Sequence, residues 1–315
     1  RAALRGQIGA SLTGGLGVGG DPGKGRLAGM ESEEQLREVL AGAHMVFITA
    51  GMGGGTGTGV SPVVARIARK LNALTVAVVT RPFGFEGRIR ALHADNGIRE
   101  LRECVDTLLV IPNDRIFGVI EENAPADEAF RRVDDVLRQA VQSISDIITM
   151  SGDINVDFND FRAIMTNVGE AHMGVGEAEG ANRALEAARR AVSSPLLENA
   201  SIEGAKGLLV NIMGSKRKLS LKDIDEAMGL INRPASPEAK IKMGKAYDDS
   251  LGDRIRITVV ATGFPARKAK PSAFGPGKGD PRPRDRHEGP GGLHHSSQDY
   301  WLKPAYLRIK TKKLR

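Results

Sequence analysis

Between residues 49 and 62 the chain reads Thr49-Ala50-Gly51-Met52-Gly53-Gly54-Gly55-Thr56-Gly57-Thr58-Gly59-Val60-Ser61-Pro62. Glycine permits positive φ and close backbone approach. A helix start presents free N–H groups at the positive end of its dipole. A glycine-rich turn between a strand and a helix is therefore a phosphate-binding device, and Thr56 and Thr58 add hydroxyl donors. Both flanks fit. Met45 to Ile48 is an apolar run that reads as a strand, and Val63, Val64, Ile67, Ala68 and Leu71 follow helical spacing. The dinucleotide pattern G-x-G-x-x-G fits no register here, because starts at Gly51 and Gly53 put Thr56 and Thr58 where the last glycine belongs. No Gly-Lys-Ser/Thr occurs, so the P-loop pattern fails as well.

A second glycine run, Gly14 to Arg26, contains Gly15-x-Gly17-x-x-Gly20. That string matches the dinucleotide pattern but is expected to have no strand before it and no helix after it, so the match is weak and a dinucleotide oxidoreductase is a poor reading. Glu33 to Leu40 reads as a helix, with Ser32 as N-cap and Gln35 completing a capping box. Leu74 to Thr80 and Asp106 to Ile111 read as buried strands, with a helix from Ile89 to Leu101 between them. Alternating strands and helices predict a parallel sheet covered on both faces, with ligands beyond the carboxyl ends of the strands. Ala126 to Met150 is the longest helical stretch, apolar on much of its circumference, which suits a helix wedged between two domains. Beyond it, helices near 182–192 and 219–230 and strands at 207–212 and 255–262 predict a smaller α/β domain.

The 315 residues suffice for two domains, and 41% hydrophobic with 26% charged content indicates a globular chain. No apolar run approaches the ~18 residues of a membrane span. Cys104 is the only cysteine, so no intrachain disulfide can form, and it reads as a packing thiol. The net charge of +7 belongs to the tail: residues 264–315 hold 13 Lys/Arg against 4 Asp/Glu, leaving the remainder slightly acidic. The folded part is therefore no basic nucleic-acid binder. Six prolines and many glycines between Phe264 and Ser297 predict a disordered linker. His294-His295 within it is a poor metal site, and no metal centre is expected in the protein itself.

Gly53 to Gly59 resembles the signature of the tubulin/FtsZ family of GTPases, and further motifs follow in the family's order along nearly the whole chain. The resemblance implies an α/β fold in which a parallel-sheet nucleotide-binding domain is joined by a long central helix to a smaller α/β domain. Its boundaries here would be 1–150, helix included, and 151–263, then a disordered linker at 264–298 and a partner-binding peptide at 299–315. It implies GTP or GDP as ligand, with Mg2+ accompanying the nucleotide. Gly53, Gly54, Gly55, Thr56, Gly57, Thr58 and Gly59 would hold the phosphates, with Gly17, Val18 and Gly19 near the terminal one. Pro82, in the next loop, would also belong to the nucleotide site. Glu86 would accept from ribose hydroxyls and Arg90 would lie near the sugar-phosphate. Phe130 would stack on guanine and Asp135 would read it, with Asp134 adding a negative charge where the family commonly has Asn. Without the resemblance, Phe130 reads as core packing and Asp135 as a solvated helix carboxylate.

Asn155-x-Asp157-x-x-Asp160 matches the family loop that completes the active site of the next subunit. An amide and two carboxylates can orient a water for phosphoryl transfer, although Asp157 or Asn159 would equally serve as a helix N-cap. The resemblance thus implies a GTPase that assembles head to tail with itself in a division ring in the cytoplasm. It also implies docking to membrane-tethering division proteins through residues 299–308, where Leu302 and Lys303 depart from the family pattern. Nothing before Gly14 resembles the family's opening strand, glycine loop and helix, so on the order of 30 residues or more are expected to be missing. The alternative is a non-hydrolysing subunit that joins or caps filaments.

Overall fold

The computed structural model describes residues 4–118, 125–149, 157–194 and 202–264. The expected linker and tail peptide, and Asn155, lie outside the described residues. Nine α-helices and seven strands are described. In chain order they run α1 (Ala10–Thr13), α2 (Pro22–Glu31), α3 (Glu33–Leu40), β1 (Met45–Gly51), α4 (Thr56–Lys70), β2 (Leu74–Arg81), α5 (Arg88–Cys104) and β3 (Thr107–Pro112). Then come α6 (Ala126–Thr149), α7 (Phe158–Met165), β4 (Gly169–Ala178), α8 (Arg183–Val192), β5 (Gly207–Gly214), α9 (Leu221–Asn232), β6 (Lys240–Tyr247) and β7 (Ile255–Thr262).

The strands form one sheet in the order β1-β2-β3-β4-β7-β5-β6. Strands β1 to β4 are parallel, β5 and β6 are parallel, and β7 runs antiparallel between β4 and β5. Alternation along each strand sends side chains to opposite faces. On one face Val46, Ile48, Ala77 and Val79 pack with α4 and α5, while Leu208, Val210 and Ile212 pack with α8 and α9. On the other face Val76, Val78, Leu109, Met173, Leu209 and Val260 share a core with α6 and α7. The two halves thus have separate cores on one side and a common one on the other.

Helix α6 makes that common core from a single stripe. Val133, Val136, Ala140, Ile144 and Ile147 are buried at helical spacing, while Asp134 and Arg138 face solvent. It lies across the sheet, and its apolar residues do not run round its circumference. Asp106, just before β3, accepts from the Thr75 N–H at 2.9 Å, while its carbonyl accepts from Val168 and Gly169. Cys104 is buried, as the packing reading requires.

Three expectations are corrected. A helix does follow the first glycine run: Asp21 caps α2 by accepting from the N–H groups of Gly23 and Lys24, and Pro22 takes the first helical position. The capping box at Ser32 is absent, because its hydroxyl accepts from the Gly9 N–H at 3.0 Å instead. Strands β4 and β6 were not expected. β4 carries glycines at 169, 174 and 176, and β6 carries lysines at 240, 242 and 245, so neither shows the apolar run of a buried strand.

Candidate functional site

The glycine turn leaves β1 at Gly51 and enters α4 at Thr56, at the carboxyl end of the parallel strands. Met52 donates its N–H to the Thr80 carbonyl of β2 at 2.9 Å, which anchors the turn to the sheet. Gly53 takes φ 100° and donates to the Thr58 hydroxyl at 2.8 Å. Thr58 is buried, so it shapes the loop, while Thr56 is exposed at the helix start.

Most of these glycines have a packing reason. A side chain at Gly55 would overlap Val18, one at Gly25 would overlap the Gly55 carbonyl, and one at Gly59 would overlap the Pro22 carbonyl. The backbones of α2 and α4 therefore touch, and Gly57 is pressed against the Gly51 carbonyl in the same way. Glu100 of α5 clamps both helices, pairing with Arg26 and, at 3.2 Å, with Arg66. Gly17 and Gly54 have no such reason. An added Cβ at either meets nothing within 4 Å, and neither takes a positive φ. Gly19 has the same open surroundings at φ 63°. Val18 joins the two loops through its contact with Gly55. Gly17, Gly19 and Gly54 thus leave open space beside the N-terminus of α4, a cradle in which an anion would meet the free N–H groups of a helix start.

A continuous set of contacts leads away from the cradle. A side chain added at Gly53 would overlap the Arg90 carbonyl and crowd Pro82. Arg90 Nε pairs with Glu86 Oε2 at 3.0 Å, and Glu86 Oε1 accepts from the Phe83 N–H at 2.9 Å. Each carboxylate oxygen keeps a second lone pair for another donor. Phe83 meets Phe130 edge to face, with ring centroids 5.9 Å apart. Phe130 is 52% exposed, so it is not a core residue. Asp135 lies one and a half turns further along α6, half-buried, with Arg138 Nε 3.3 Å away, and Asp134 is exposed. Gly53, Pro82, Glu86, Arg90 and Phe130 are therefore brought together on one end of the molecule. The exposed Phe85, stacked at 4.9 Å on the buried Phe83, widens its aromatic surface beyond what the sequence singled out.

Asp157 and Asp160 lie elsewhere. Asp157 caps α7, accepting from the Asn159 N–H at 3.3 Å, and Asp160 falls in the helix's first turn rather than in a loop. Phe158 meets the ring of His44, the residue before β1, at 6.4 Å. Arg162 donates to the Asn72 carbonyl, just before β2. The acidic pair thus occupies the amino end of the parallel strands. The seven residues of β1 separate it from the glycine turn, roughly 20 Å at the usual strand rise. Asp160 Oδ2 also receives Lys242 Nζ from β6 at 2.8 Å, across 82 residues of chain. No described helix is long and apolar enough to cross a membrane.

Comparison with known proteins gives a consistent result. Residues 3–121 match the model of the Tubulin/FtsZ family GTPase domain, and residues 169–265 match that of the FtsZ family C-terminal domain. An empty FtsZ dimer from M. jannaschii is 44% identical over 81% of this chain and 74% of its own, with a TM-score of 0.77. A W319Y mutant of FtsZ from M. jannaschii gives 44% identity over 82% of this chain and 76% of its own, at 0.78. CetZ2 from Haloferax volcanii, described as a GTPγS-bound protofilament, shares the fold at 21% identity and a TM-score of 0.68, over 83% of this chain and 79% of its own.

Proposed function

The chain belongs to the tubulin/FtsZ family of GTPases, and from that premise we propose that it hydrolyses GTP at the contact between successive copies of itself. The cradle of Gly17, Gly19 and Gly54 holds the phosphates; an accompanying Mg2+ would supply charge neutralisation there, and the described residues contain no cluster of three His, Cys, Asp or Glu to hold a metal by themselves. Glu86 and Arg90 take the ribose end, Phe130 offers a ring face to the base, and Asp135 reads it. Guanine presents an N–H and an amino group side by side, which one carboxylate can accept together. Adenine has an acceptor where guanine has its N–H, so its binding leaves buried polar groups unmatched. Arg138 must yield Asp135 to the base, a small cost for an exposed pair.

The observation that carries the reading is the distance between cradle and acidic pair. Phosphoryl transfer to water needs an oriented water and charge stabilisation rather than a covalent nucleophile. Asp157 and Asp160 can orient that water, with Asn155 beside them in sequence, but a strand's length keeps them from the cradle of their own chain. A second copy stacked head to tail brings its acidic end onto the first copy's cradle. That contact is heterologous and open, so it propagates into a filament. In this reading the filament serves the division ring in the cytoplasm, and residues 299–308 dock to membrane-tethering division proteins.

The test mixes two inactive variants of the full-length protein. Asp160→Ala keeps the cradle, and Gly54→Val fills it. Each alone hydrolyses GTP slowly. An equal mixture recovers roughly a quarter of the unaltered rate, because one interface in about four then joins an intact cradle to an intact acidic end. Phosphate release is measured at constant total protein, with co-assembly followed by sedimentation. Co-assembly with a rate at the mean of the two separate rates would reject the shared site.

A further inference from the structure

The acidic end of the molecule carries a cation as well as its carboxylates. Lys242 is the third residue of β6, one of the two edge strands of the sheet, opposite Leu209 of β5. Its Nζ lies 2.8 Å from Asp160 Oδ2, and both side chains are about half exposed. The two carboxylates are therefore held by different means. Asp157 is engaged by the backbone of its own helix, and Asp160 is engaged by a lysine from another element. The neighbouring Lys245 points elsewhere, over the ring of Tyr247. A bland account exists, since lysines on an outermost strand blunt unwanted strand pairing. That account asks only for a charge on the edge and gives no reason for a bond to Asp160.

We propose that Lys242 is a positioning residue for GTP hydrolysis: it holds the Asp160 carboxylate at the exposed end of α7 and cancels one of the two negative charges that approach a polyphosphate. The proposal rests on the shared-site reading above. Two bare carboxylates brought against nucleotide phosphates repel them, and the repulsion strengthens as water leaves the interface. An ammonium bonded to one of them reduces that repulsion and restricts the carboxylate to one orientation. Lys242 acts through Asp160 and needs no contact of its own with the nucleotide.

The test compares Lys242→Met, which keeps length and loses charge, with Lys242→Arg, which keeps charge. Lys242→Gln serves as a second neutral variant should the methionine form fold poorly. Steady-state GTP hydrolysis is measured on the full-length protein, alongside sedimentation of filaments and GTP affinity of the unassembled form. The expected result is a kcat about ten-fold lower for the neutral variants, with KM and sedimented fraction within about two-fold, and recovery in Lys242→Arg. In an Asp160→Ala background, Lys242→Met should cost nothing further. Unchanged turnover in the neutral variants, a loss matched by a fall in sedimentation, or a loss that adds in full to Asp160→Ala would overturn the proposal. Failure of the shared site itself has a different signature: Asp160→Ala would then hydrolyse GTP at the unaltered rate.

Discussion

A methyl group added at Gly176 of β4 would overlap the Ala187 carbonyl of α8, and one at Gly174 would overlap that of Ala191. A methyl group added at Gly54, in the turn between β1 and α4, would meet nothing within 4 Å. Both segments are glycine-rich and both lie against a helix, yet the same residue answers different needs. In β4 the missing side chain admits a helix faced with Ala184, Ala187, Ala188 and Ala191, all nearly inaccessible. In the turn the missing side chain leaves a space that the fold does not fill. Where packing and backbone conformation explain a glycine, no ligand need be invoked. Where neither does, as at Gly54 and Gly17 on the two glycine loops, the open space is what the proposed phosphate site would use.

The largest expected effect tests the packed member of this pair. Gly176→Val forces β4 and α8 apart across a contact made by backbone atoms, which cannot rotate away. A destabilisation of ~4 kcal/mol or more is expected, seen as loss of a cooperative thermal transition or a fall in Tm of more than about 10 °C. A melt within about 2 °C of the unaltered protein would show that the α8 contact is loose, and the distinction between the two segments would lose its basis.

Gly54→Val should do the reverse. Its melting temperature should stay within about 2 °C, because the new side chain enters open space without strain in φ. Its affinity for GTP should fall about a hundred-fold or more, since the branched side chain occupies the cradle and pushes phosphate oxygens off the backbone N–H groups. Calorimetric titration beside a thermal melt separates the two readouts. Unchanged affinity would remove the cradle's claim to the phosphates.

This contrast also explains what could be read from residues alone. Apolar runs locate β1, β2, β3, β5 and β7, and helical spacing locates α3 to α6, α8 and α9, because burial on a regular element leaves a period in the sequence. Glycines erase that period. Helix α2 holds Gly25 and Gly29 for its contact with α4, with Gly23 in its first turn, and only Asp21-Pro22 signals its start. Strand β4 gives up its side chains to admit α8. Ser32 misleads because its partner, Gly9, is 23 residues away, beyond the reach of local capping rules. The site shows the same limit. The glycine turn is legible because strand, turn and helix are contiguous. Phe130 is ambiguous between core and surface until its exposure is known. The contact between Lys242 and Asp160 joins two elements distant in sequence, and no local pattern announces it.

The smallest expected effect concerns the charged groups of the two regions. Arg183 begins α8 and pairs with Asp223 of α9 at 2.9 Å, with both side chains about 15% exposed or less. Asp223 also accepts from the Ser220 N–H at 2.9 Å and hydroxyl at 2.7 Å, completing a capping box. Burial opposes ionisation of Asp223, but the bonds from Arg183 and Ser220 outweigh it and hold its carboxyl below the ordinary value. The pairs beside the cradle are more open, with Arg90 and Arg138 both more than half exposed. Asp223→Asn should therefore cost ~2 kcal/mol at neutral pH, a Tm lower by about 4–8 °C, as half a cap and a largely buried pair are lost. Asp135→Asn should cost less than ~1 kcal/mol. The sign of the pH dependence follows from the lowered folded-state pKa. The Asp223 contribution is complete above the unfolded carboxylate value, about 4, and disappears as pH falls through the lower folded-state value. The gap between the unaltered protein and Asp223→Asn should therefore close on acidification below about pH 4 and stay constant from there to neutrality. Thermal melts of the three proteins across that range decide the matter. A gap that persists undiminished in acid would mean that Asp223 contributes through shape alone, and that its charge is no better used than those around the cradle.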